Sequence, residues 1–111
     1  MRSLKSSGLP KRLRLPFVIR QVVGDSMLPT LRVDQIVIAW RWADIREGDV
    51  ILLRHESRDM LKRVAWVRKD MMFVVGDNVT ASRDSRQFGP IKTTSARGRV
   101  IFPRRLSRPL S

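Results

Sequence analysis

The sequence predicts one mostly β domain with little helix. A chain of 111 residues is long enough to bury one hydrophobic core. Hydrophobic residues make up 42% of it and charged residues 30%, which is typical of a globular rather than a disordered protein. Five or six short runs of β-branched and aromatic residues are separated by turn residues. We therefore expect a compact, barrel-like β fold.

The predicted strands follow one another along the chain, each bounded by turn residues. They are expected at Phe17 to Val23, Gln35 to Trp42, Val50 to His55, Met60 to Arg68, Met71 to Val75 and Arg97 to Phe102. Because side chains alternate along a strand, the second strand has four large apolar residues on one face, namely Ile36, Ile38, Trp40 and Trp42. Residues 79–95 are polar and rich in turn residues, and we expect no strand there.

The net charge of +13 is concentrated at the two ends of the chain. All 10 acidic residues lie between Asp25 and Asp84, together with 10 of the 23 lysines and arginines. We therefore expect a flexible basic arm at residues 1–16, a folded domain at 17–103 and a basic tail at 104–111. Since the excess charge is outside the folded middle, nucleic acid is not expected as a partner, whereas peripheral contact with an anionic membrane is.

Composition excludes several kinds of site. The chain has no cysteine and one histidine, so we expect no disulfide, metal or cofactor. No apolar run is long enough for a transmembrane helix, and the basic start lacks the apolar segment of a secretory signal. The expected location is cytoplasmic, with peripheral binding at the inner membrane face as an extension of it. The oligomeric state is not encoded in any feature we recognise.

Two polar residues interrupt apolar patterns and are candidates for catalysis. Ser26 stands in the turn after the first predicted strand, and Lys62 lies on the fourth strand. A serine hydroxyl is a poor nucleophile until a base takes its proton. A lysine can be that base when burial lowers its pKa from about 10.4 by several units. Such burial is expected because the face of the strand that carries Lys62 is otherwise apolar, with Met60, Val64 and Trp66.

Each of these residues also has a plainer interpretation. A serine after a strand is commonly a turn residue, and a lysine on a strand commonly keeps its ammonium in water at a sheet edge. The single histidine, His55, alternates with Ile51 and Leu53 at a strand end and is a weaker candidate base. Judged on these residues alone, both interpretations remain open.

A series of motifs along the chain resembles that of the type I signal peptidases, in the same order. The motifs are Ser26-Met27-Leu28-Pro29-Thr30-Leu31, Gly48-Asp49-Val50, Lys62-Arg63-Val64, and Gly76-Asp77-Asn78 followed by Ser82-Arg83-Asp84-Ser85-Arg86 and Gly89. Self-cleaving repressors of the LexA type share a similar serine turn and lysine strand, and the last motif separates the two families. The resemblance spans about residues 18–102 and implies that residues 17–103 form a signal-peptidase-like catalytic domain with the β fold common to both families.

The resemblance also implies roles for individual residues. Ser26 is then the nucleophile of a serine endopeptidase that removes an N-terminal leader or pro-segment from a precursor protein, and Lys62 is its general base. Ser82 would hydrogen-bond the lysine amine, and Asp84 and Arg86 would form an ion pair that holds the last motif. The backbone N–H of Ser26 would stabilise the oxyanion. The remaining supporting residues are Gly24, Asp25, Met27, Pro29 and Asp77.

The chain departs from many signal peptidases in three respects. Gly24 occupies a position where some members carry a serine that donates to the oxyanion. We recognise no N-terminal membrane anchor, and the short spacing from Lys62 to Gly76 leaves no room for a large extra β-domain. The chain is thus more similar to a short, soluble branch that includes proteases maturing nickel superoxide dismutase, a likeness carried by residues 84–90 and 98–100.

Two other functions remain as alternatives. The chain could be a self-cleaving regulatory domain related to the LexA-type repressors, although residues 1–16 are too short for a helix-turn-helix. It could also be a non-enzymatic basic binding module that acts through its tails, in which case Asp77-Asn78 is an ordinary turn and Asp84 and Arg86 are surface charges.

Overall fold

The computed structural model describes residues 15–104, which form one antiparallel sheet of seven strands. The strands are β1 (Phe17–Gln21), β2 (Ile36–Trp40), β3 (Val50–His55), β4 (Arg58–Arg68), β5 (Met71–Val75), β6 (Ile91–Lys92) and β7 (Ala96–Phe102). Their order across the sheet is β1-β2-β7-β3-β4-β5-β6. Helix in these residues is limited to α1 (Ser85–Phe88) and two 3-10 turns, Val79–Ala81 and Thr93–Ser95. The prediction of a mostly β fold with little helix is confirmed.

The sheet curls so that its first strand returns toward its middle. β1 and β4 are four positions apart in the strand order, which would separate them by about 19 Å in a flat sheet. Nevertheless Arg20 Nε on β1 donates to Asp59 Oδ2 on β4 at 3.2 Å. Strong twisting and coiling of the sheet brings the two together. The shape is therefore barrel-like, although β1 and β6 remain unpaired edges within the described residues.

The apolar residues of β2 lie on both of its faces. Ile36, Ile38 and Trp40 share one face, as predicted, but that face is the outer one, since Val37 and Ala39 are the buried residues. Trp42 lies beyond the end of β2, in a turn. A run that is apolar at every position does not reveal which face is buried, because the pattern lacks alternation.

A bulge in β4 changes the surroundings of one predicted neighbour of Lys62. The register between β4 and β5 shifts between Val64 and Trp66. Val64 is buried in the core beneath β3, β4 and β5, whereas Trp66 is only partly buried and stacks on Phe73, with ring centroids 5.6 Å apart. Such a bulge re-aims the side chains that follow it. Trp66 therefore lies outside the buried cluster that contains Val64.

The region between β5 and β7 contains more regular structure than its sequence suggests. β6 is only two residues long and pairs with β5 through Ile91 and Met72. The short helix α1 begins at a capping box, in which Asp84 accepts from the Arg86 N–H and Gln87 accepts from the Asp84 N–H. These elements are too short to produce a periodic signal. They hold the last motif against the sheet.

The predicted ends of the chain lie largely outside the described residues, since the arm falls mainly on residues 1–14 and the tail mainly on 105–111. The last two residues of the predicted arm bond to the domain: Arg41 N donates to the Pro16 carbonyl at 2.7 Å and Arg41 Nε to the Leu15 carbonyl at 2.8 Å. Within residues 15–104, no helix has the length and apolarity needed to cross a membrane.

Candidate active site

The turn that carries Ser26 is held by apolar side chains on one side. Met27 and Leu31 are buried in a core cluster with Val22, Val37, Val50 and Val100. Leu31 N donates to the Met27 carbonyl at 3.0 Å, which closes one helical turn. Gly24 begins the turn with φ of +81°, a conformation that favours glycine. Ser26 is thereby presented at a fixed point beside the sheet, while the neighbouring Pro29 is exposed.

The Lys62 side chain is buried, as the sequence predicted. It is 4% exposed and lies between Leu61 and Arg63 on β4, directly opposite Ile51 of β3. Burial lowers the pKa of the Lys62 amine, the Asp84 carboxylate raises it, and the Arg86 guanidinium lowers it; the net shift is downward from 10.5. The environment therefore favours the uncharged amine relative to a lysine in water.

A chain of hydrogen bonds links Lys62 to a buried carboxylate. Lys62 Nζ donates to Ser82 Oγ at 3.0 Å, and Ser82 Oγ donates to Asp84 Oδ2 at 2.6 Å. Because the Ser82 hydroxyl donates its hydrogen bond to the carboxylate, its oxygen is left to accept a hydrogen bond from the amine. The orientation of the lysine is therefore set by a residue 20 positions further along the chain.

Asp84 is fully buried, with 0% of its surface exposed, and its oxygens are saturated with donors. Oδ2 accepts from Gly76 N at 2.7 Å and from Arg86 Nη2 at 2.6 Å, and Oδ1 accepts from Arg86 Nε at 2.9 Å. Burial alone would raise the pKa of Asp84, but the hydrogen bonds from Arg86, Ser82 and the Gly76 N–H outweigh it and hold the pKa well below the usual range. The idea that Asp84 and Arg86 are merely surface charges is wrong for the aspartate.

Gly76 lies where the serine turn and the Ser82 segment meet. A Cβ on Gly76 would be 2.1 Å from Ser82 Oγ and 2.7 Å from the Ser26 carbonyl oxygen. No side chain fits in that space, because real Cβ atoms essentially never come so close to other heavy atoms. Glycine at this position therefore allows the backbone of Ser26 and the hydroxyl of Ser82 to approach each other.

A second ion pair clamps the serine turn to the lysine strand. Arg63, next to Lys62, forms a two-pronged pair with Asp77 through Nε–Oδ1 at 2.9 Å and Nη2–Oδ2 at 2.8 Å. Thr30, in the serine turn, donates to the same Asp77 carboxylate. Burial would raise the pKa of Asp77, but hydrogen bonds from Arg63 and Thr30 lower it overall. Asp77 thus joins three segments of the site and is not an ordinary turn residue.

Asn78 attaches the same loop to the serine turn at two points. Its backbone N–H donates to the Ser26 carbonyl at 2.8 Å, and its side-chain Nδ2 donates to the Asp25 carbonyl at 3.0 Å. Asp25 therefore contributes through its backbone. The Gly76-Asp77-Asn78 segment contacts Ser26, the Arg63 guanidinium and Asp84 simultaneously, which explains how residues far apart in sequence converge here.

Ser26 and Lys62 line the same groove, which has a volume of about 500 Å³. One wall consists of residues 20–24, which are the end of β1 and the three residues after it, and the other wall consists of residues 58–62 of β4. Both walls have an open hydrogen-bonding edge: β1 pairs with β2 alone within the described residues, and residues 58–62 pair with β3 alone because pairing with β5 begins at Arg63. A groove between two open strand edges is suited to an extended peptide.

The structure brings nine of the ten predicted site residues into direct contact with the groove or with the hydrogen-bond network that supports it, namely Gly24, Asp25, Ser26, Met27, Lys62, Asp77, Ser82, Asp84 and Arg86. The tenth, Pro29, lies in the same turn as Ser26, with a cis peptide bond to Leu28. Sequence reasoning did not assign roles to Arg63, Thr30 or Gly76. The pairing of Asp77 with Arg63 could not be predicted from their spacing, since the two residues lie 14 positions apart on different elements.

His55 is placed away from this groove. Its ring stacks on Phe88 with centroids 4.3 Å apart, and its Nε2 is 3.8 Å from Glu56 Oε2. It does not line the groove, so it is not a base for Ser26 in this arrangement. Among residues 15–104, no cluster of histidine and acidic side chains is arranged to hold a metal ion.

Comparison with known proteins identifies the family. The family described as "Signal peptidase, peptidase S26" matches residues 62–104, the part that carries Lys62, Ser82, Asp84 and Arg86. Mitochondrial ATP-independent inner membrane protease subunit 1a of Arabidopsis thaliana is 30% identical over an alignment 111 positions long, which covers 73% of this chain and 66% of that protein. The chain belongs to the type I signal peptidase family.

Two animal relatives support the same placement. Mitochondrial inner membrane protease subunit 1 of Xenopus tropicalis is 39% identical, and that of Mus musculus 41% identical, over 56 residues. Each match covers 50% of this chain and 33% of the relative. The chain therefore matches one third to about two thirds of the length of these signal peptidase relatives, and the expected membership of the family is confirmed.

Proposed function

We propose that the protein is a serine endopeptidase in which Ser26 is the nucleophile and Lys62 the general base. The observation that carries the proposal is the burial of the Lys62 amine at the groove that Ser26 also lines, with one of its N–H bonds directed to Ser82. A neutral amine has two N–H bonds and one lone pair. Donation to Ser82 leaves the lone pair free to accept the Ser26 proton.

The reaction then proceeds in two balanced steps. Lys62 takes the Ser26 proton while the serine oxygen attacks the substrate carbonyl, and the backbone N–H of Ser26 stabilises the oxyanion of the tetrahedral intermediate. Collapse of the intermediate breaks the C–N bond, and the Lys62 ammonium gives its proton to the leaving amine. Water, deprotonated by the same amine, next attacks the acyl-serine carbonyl; the ester C–O bond then breaks, the carboxylic acid product leaves as its carboxylate, and the Lys62 ammonium returns its proton to the Ser26 oxygen.

The substrate we infer is an N-terminal leader or pro-segment of a precursor protein, bound as an extended strand. The two open strand edges of the groove offer backbone donors and acceptors to such a segment. Relatives of the chain are named as mitochondrial inner membrane proteases. The likeness to the short branch that matures nickel superoxide dismutase stays a prediction about which precursor is cleaved.

The test is cleavage of a proteome-derived peptide mixture, with new termini read by mass spectrometry. We expect the full chain to produce a consistent set of cleavage sites, and Ser26→Ala and Lys62→Met each to abolish them. Ser95→Ala, which changes a serine outside the groove, serves as the matched control and keeps them. Full activity in folded Lys62→Met would remove the mechanism.

Self-cleavage is the alternative that the shared serine turn and lysine strand keep open. A self-cleaving domain produces defined fragments from the pure chain at alkaline pH, and intact mass measured before and after incubation detects them. An endopeptidase that acts on other proteins leaves its own mass unchanged. A non-enzymatic basic module would instead show binding with steep salt dependence and no cleavage of any peptide.

An exposed apolar face supports peripheral contact with a membrane as part of this function. The outer face of β1 and β2 is continuous, since Phe17 pairs with Trp40 and Ile19 with Ile38, and it extends to Phe102 on β7. Phe17, Ile19 and Phe102 are exposed. Exposed aromatic residues favour a membrane interface, and the exposed Arg104, two positions after Phe102, adds a basic residue that an anionic surface attracts. Cosedimentation with anionic vesicles, compared with neutral vesicles, tests this contact, and we expect it to be lost in Ile19→Ser/Phe102→Ser.

A further inference from the structure

The walls of the groove carry an excess of positive charge that the fold does not neutralise. Besides Lys62, four charged residues line it, namely Arg20, Arg58, Asp59 and Arg83. Asp59 is engaged on both of its oxygens, by Arg20 Nε at 3.2 Å and by Arg54 Nη1 at 2.9 Å. Within residues 15–104, Arg58 and Arg83 form no ion pair. Two guanidinium groups are therefore left to face whatever occupies the groove.

Arg83 is the one nearest to the chemistry. Its neighbour on one side is Ser82, whose hydroxyl is 3.0 Å from the Lys62 amine, and on the other side is the fully buried Asp84. The backbone of Arg83 is thereby fixed, while its side chain is exposed and lines the groove. Arg58 is four residues before Lys62 on β4, about 13 Å away along an extended strand.

We propose that Arg83 determines specificity by binding an acidic side chain of the substrate close to the scissile bond. The inference rests on the proposed function, because it assumes that the groove binds a peptide at Ser26 and Lys62. A guanidinium presents a planar fork of N–H donors that matches the two oxygens of a carboxylate. Since Arg83 directly follows Ser82, which contacts the Lys62 amine, the acidic residue lies within two or three positions of the bond that is cleaved.

Pairing with Arg83 also fits the electrostatic requirement of the base. A substrate carboxylate with no cation beside it would stabilise the ammonium form of Lys62, as Asp84 does, and so would oppose catalysis. A carboxylate paired with a guanidinium forms a pair with no net charge, which exerts little electrostatic effect on the amine. The arrangement therefore admits an acidic residue beside the bond without restoring the charge of the lysine.

Binding to the full chain with Ser26→Ala tests the proposal without cleavage. The probes are fluorescein-labelled alanine–serine peptides with a single aspartate moved one position at a time, each compared with its asparagine counterpart by fluorescence anisotropy. We expect the aspartate peptide to bind about fivefold to tenfold more tightly at one or two adjacent positions, and equally elsewhere. The preference should shrink as salt is added, since partly exposed charges are screened.

Four further variants assign the preference to one residue. Arg83→Gln should remove it, and Arg83→Glu should replace it with a preference for lysine at the same position. Arg58→Gln, in the same groove, and Arg97→Gln, outside it, should both retain it at that position. Equal binding of aspartate and asparagine peptides at every position, or a preference that survives Arg83→Gln, would overturn the proposal.

The design separates this inference from the proposed function. If the wild-type protein cleaves the peptide mixture while aspartate and asparagine peptides bind equally at every position, the proposed role of Arg83 is wrong and the proposed endopeptidase function still stands. If no peptide of either series binds, the peptide groove itself is absent, and both the inference and the proposed function are overturned.

Discussion

The Lys62 amine and the Ser82 hydroxyl lie 3.0 Å apart, and the Asp84 carboxylate determines which of the two donates the hydrogen bond. The Ser82 hydroxyl donates its hydrogen bond to Asp84 at 2.6 Å, so the lysine is the donor in its contact with Ser82. An amine that donates here has its remaining valences fixed in direction. Ser82 therefore positions the base and sets where its lone pair points.

Removal of the Ser82 hydroxyl should weaken catalysis more than folding. In Ser82→Ala the amine stays buried but loses the acceptor that orients it. We expect the activation free energy to rise by about 1–2 kcal/mol, which lowers kcat by about tenfold. Thermal unfolding should change little, since the hydroxyl is only partly buried. Peptide cleavage kinetics and calorimetry measure the two effects, with Ser95→Ala as control. An unchanged kcat in Ser82→Ala would show that the contact does not position the base.

Changes at Asp84 and Arg86 should move the pH dependence of activity in opposite directions. Asp84 raises the pKa of Lys62 and Arg86 lowers it. Activity that requires the neutral amine rises with pH through this pKa, so Asp84→Asn should shift the rising limb to lower pH and Arg86→Met to higher pH. Profiles of kcat/KM against pH measure the shifts.

Arg86→Lys is the matched control for that pair, because it keeps the cation while losing the two-pronged contact with Asp84. The rising limb of its kcat/KM profile should lie nearer in pH to that of the wild type than the rising limb of Arg86→Met does. Limbs that coincide in all variants would mean that the titrating group is not Lys62.

Gly76→Ala should damage the site, whereas Gly98→Ala should damage only stability. A Cβ at residue 76 would meet Ser82 Oγ at 2.1 Å and the Ser26 carbonyl at 2.7 Å, while one at residue 98 would meet the Trp40 carbonyl at 2.9 Å. Both variants should unfold at lower temperature because something must shift. Per folded molecule, only Gly76→Ala should lose activity, as measured by active-site-normalised kcat. Equal kcat losses in the two variants would contradict this difference.

The Arg63–Asp77 pair should stabilise the protein except at acid pH. Asp77→Asn leaves the buried Arg63 without its charged partner and should lower the free energy of unfolding by about 3 kcal/mol at neutral pH. The folded-state pKa of Asp77 is depressed, so its contribution is complete above the unfolded value of about 3.9 and is lost as pH falls through the folded value. Urea unfolding across this range checks it, with the exposed Asp44→Asn as control. A difference that persists undiminished at the lowest pH would contradict the account.

Much of the fold was readable from the sequence because β-branched runs and turn residues alternate clearly. The burial of Lys62 also followed from its place on an alternating strand. What the pattern could not give was the buried face of β2, which is apolar at successive positions, or the bulge that moves Trp66 away from Val64. Both depend on contacts between strands, which a local pattern does not contain.

The candidate site was recovered in a similar, partial way. Ser82, Asp84 and Arg86 were found through motif resemblance, since their contacts with Lys62 span 20 residues or more. Arg63 was passed over because an arginine on a strand usually faces water, and nothing nearby in sequence signals its pairing with Asp77. The role of Gly76 appears only when the serine turn is packed beside it.

The central claim is that the amine of Lys62 is easier to deprotonate than that of an ordinary lysine. NMR titration of the Lys62 side chain, with the resonance assigned by its loss in Lys62→Met, measures this directly in the Ser26→Ala form. The account predicts a pKa below 10.5, the ordinary value, because burial disfavours the ammonium. A Lys62 amine that titrates at or above that value would contradict the assignment of the base.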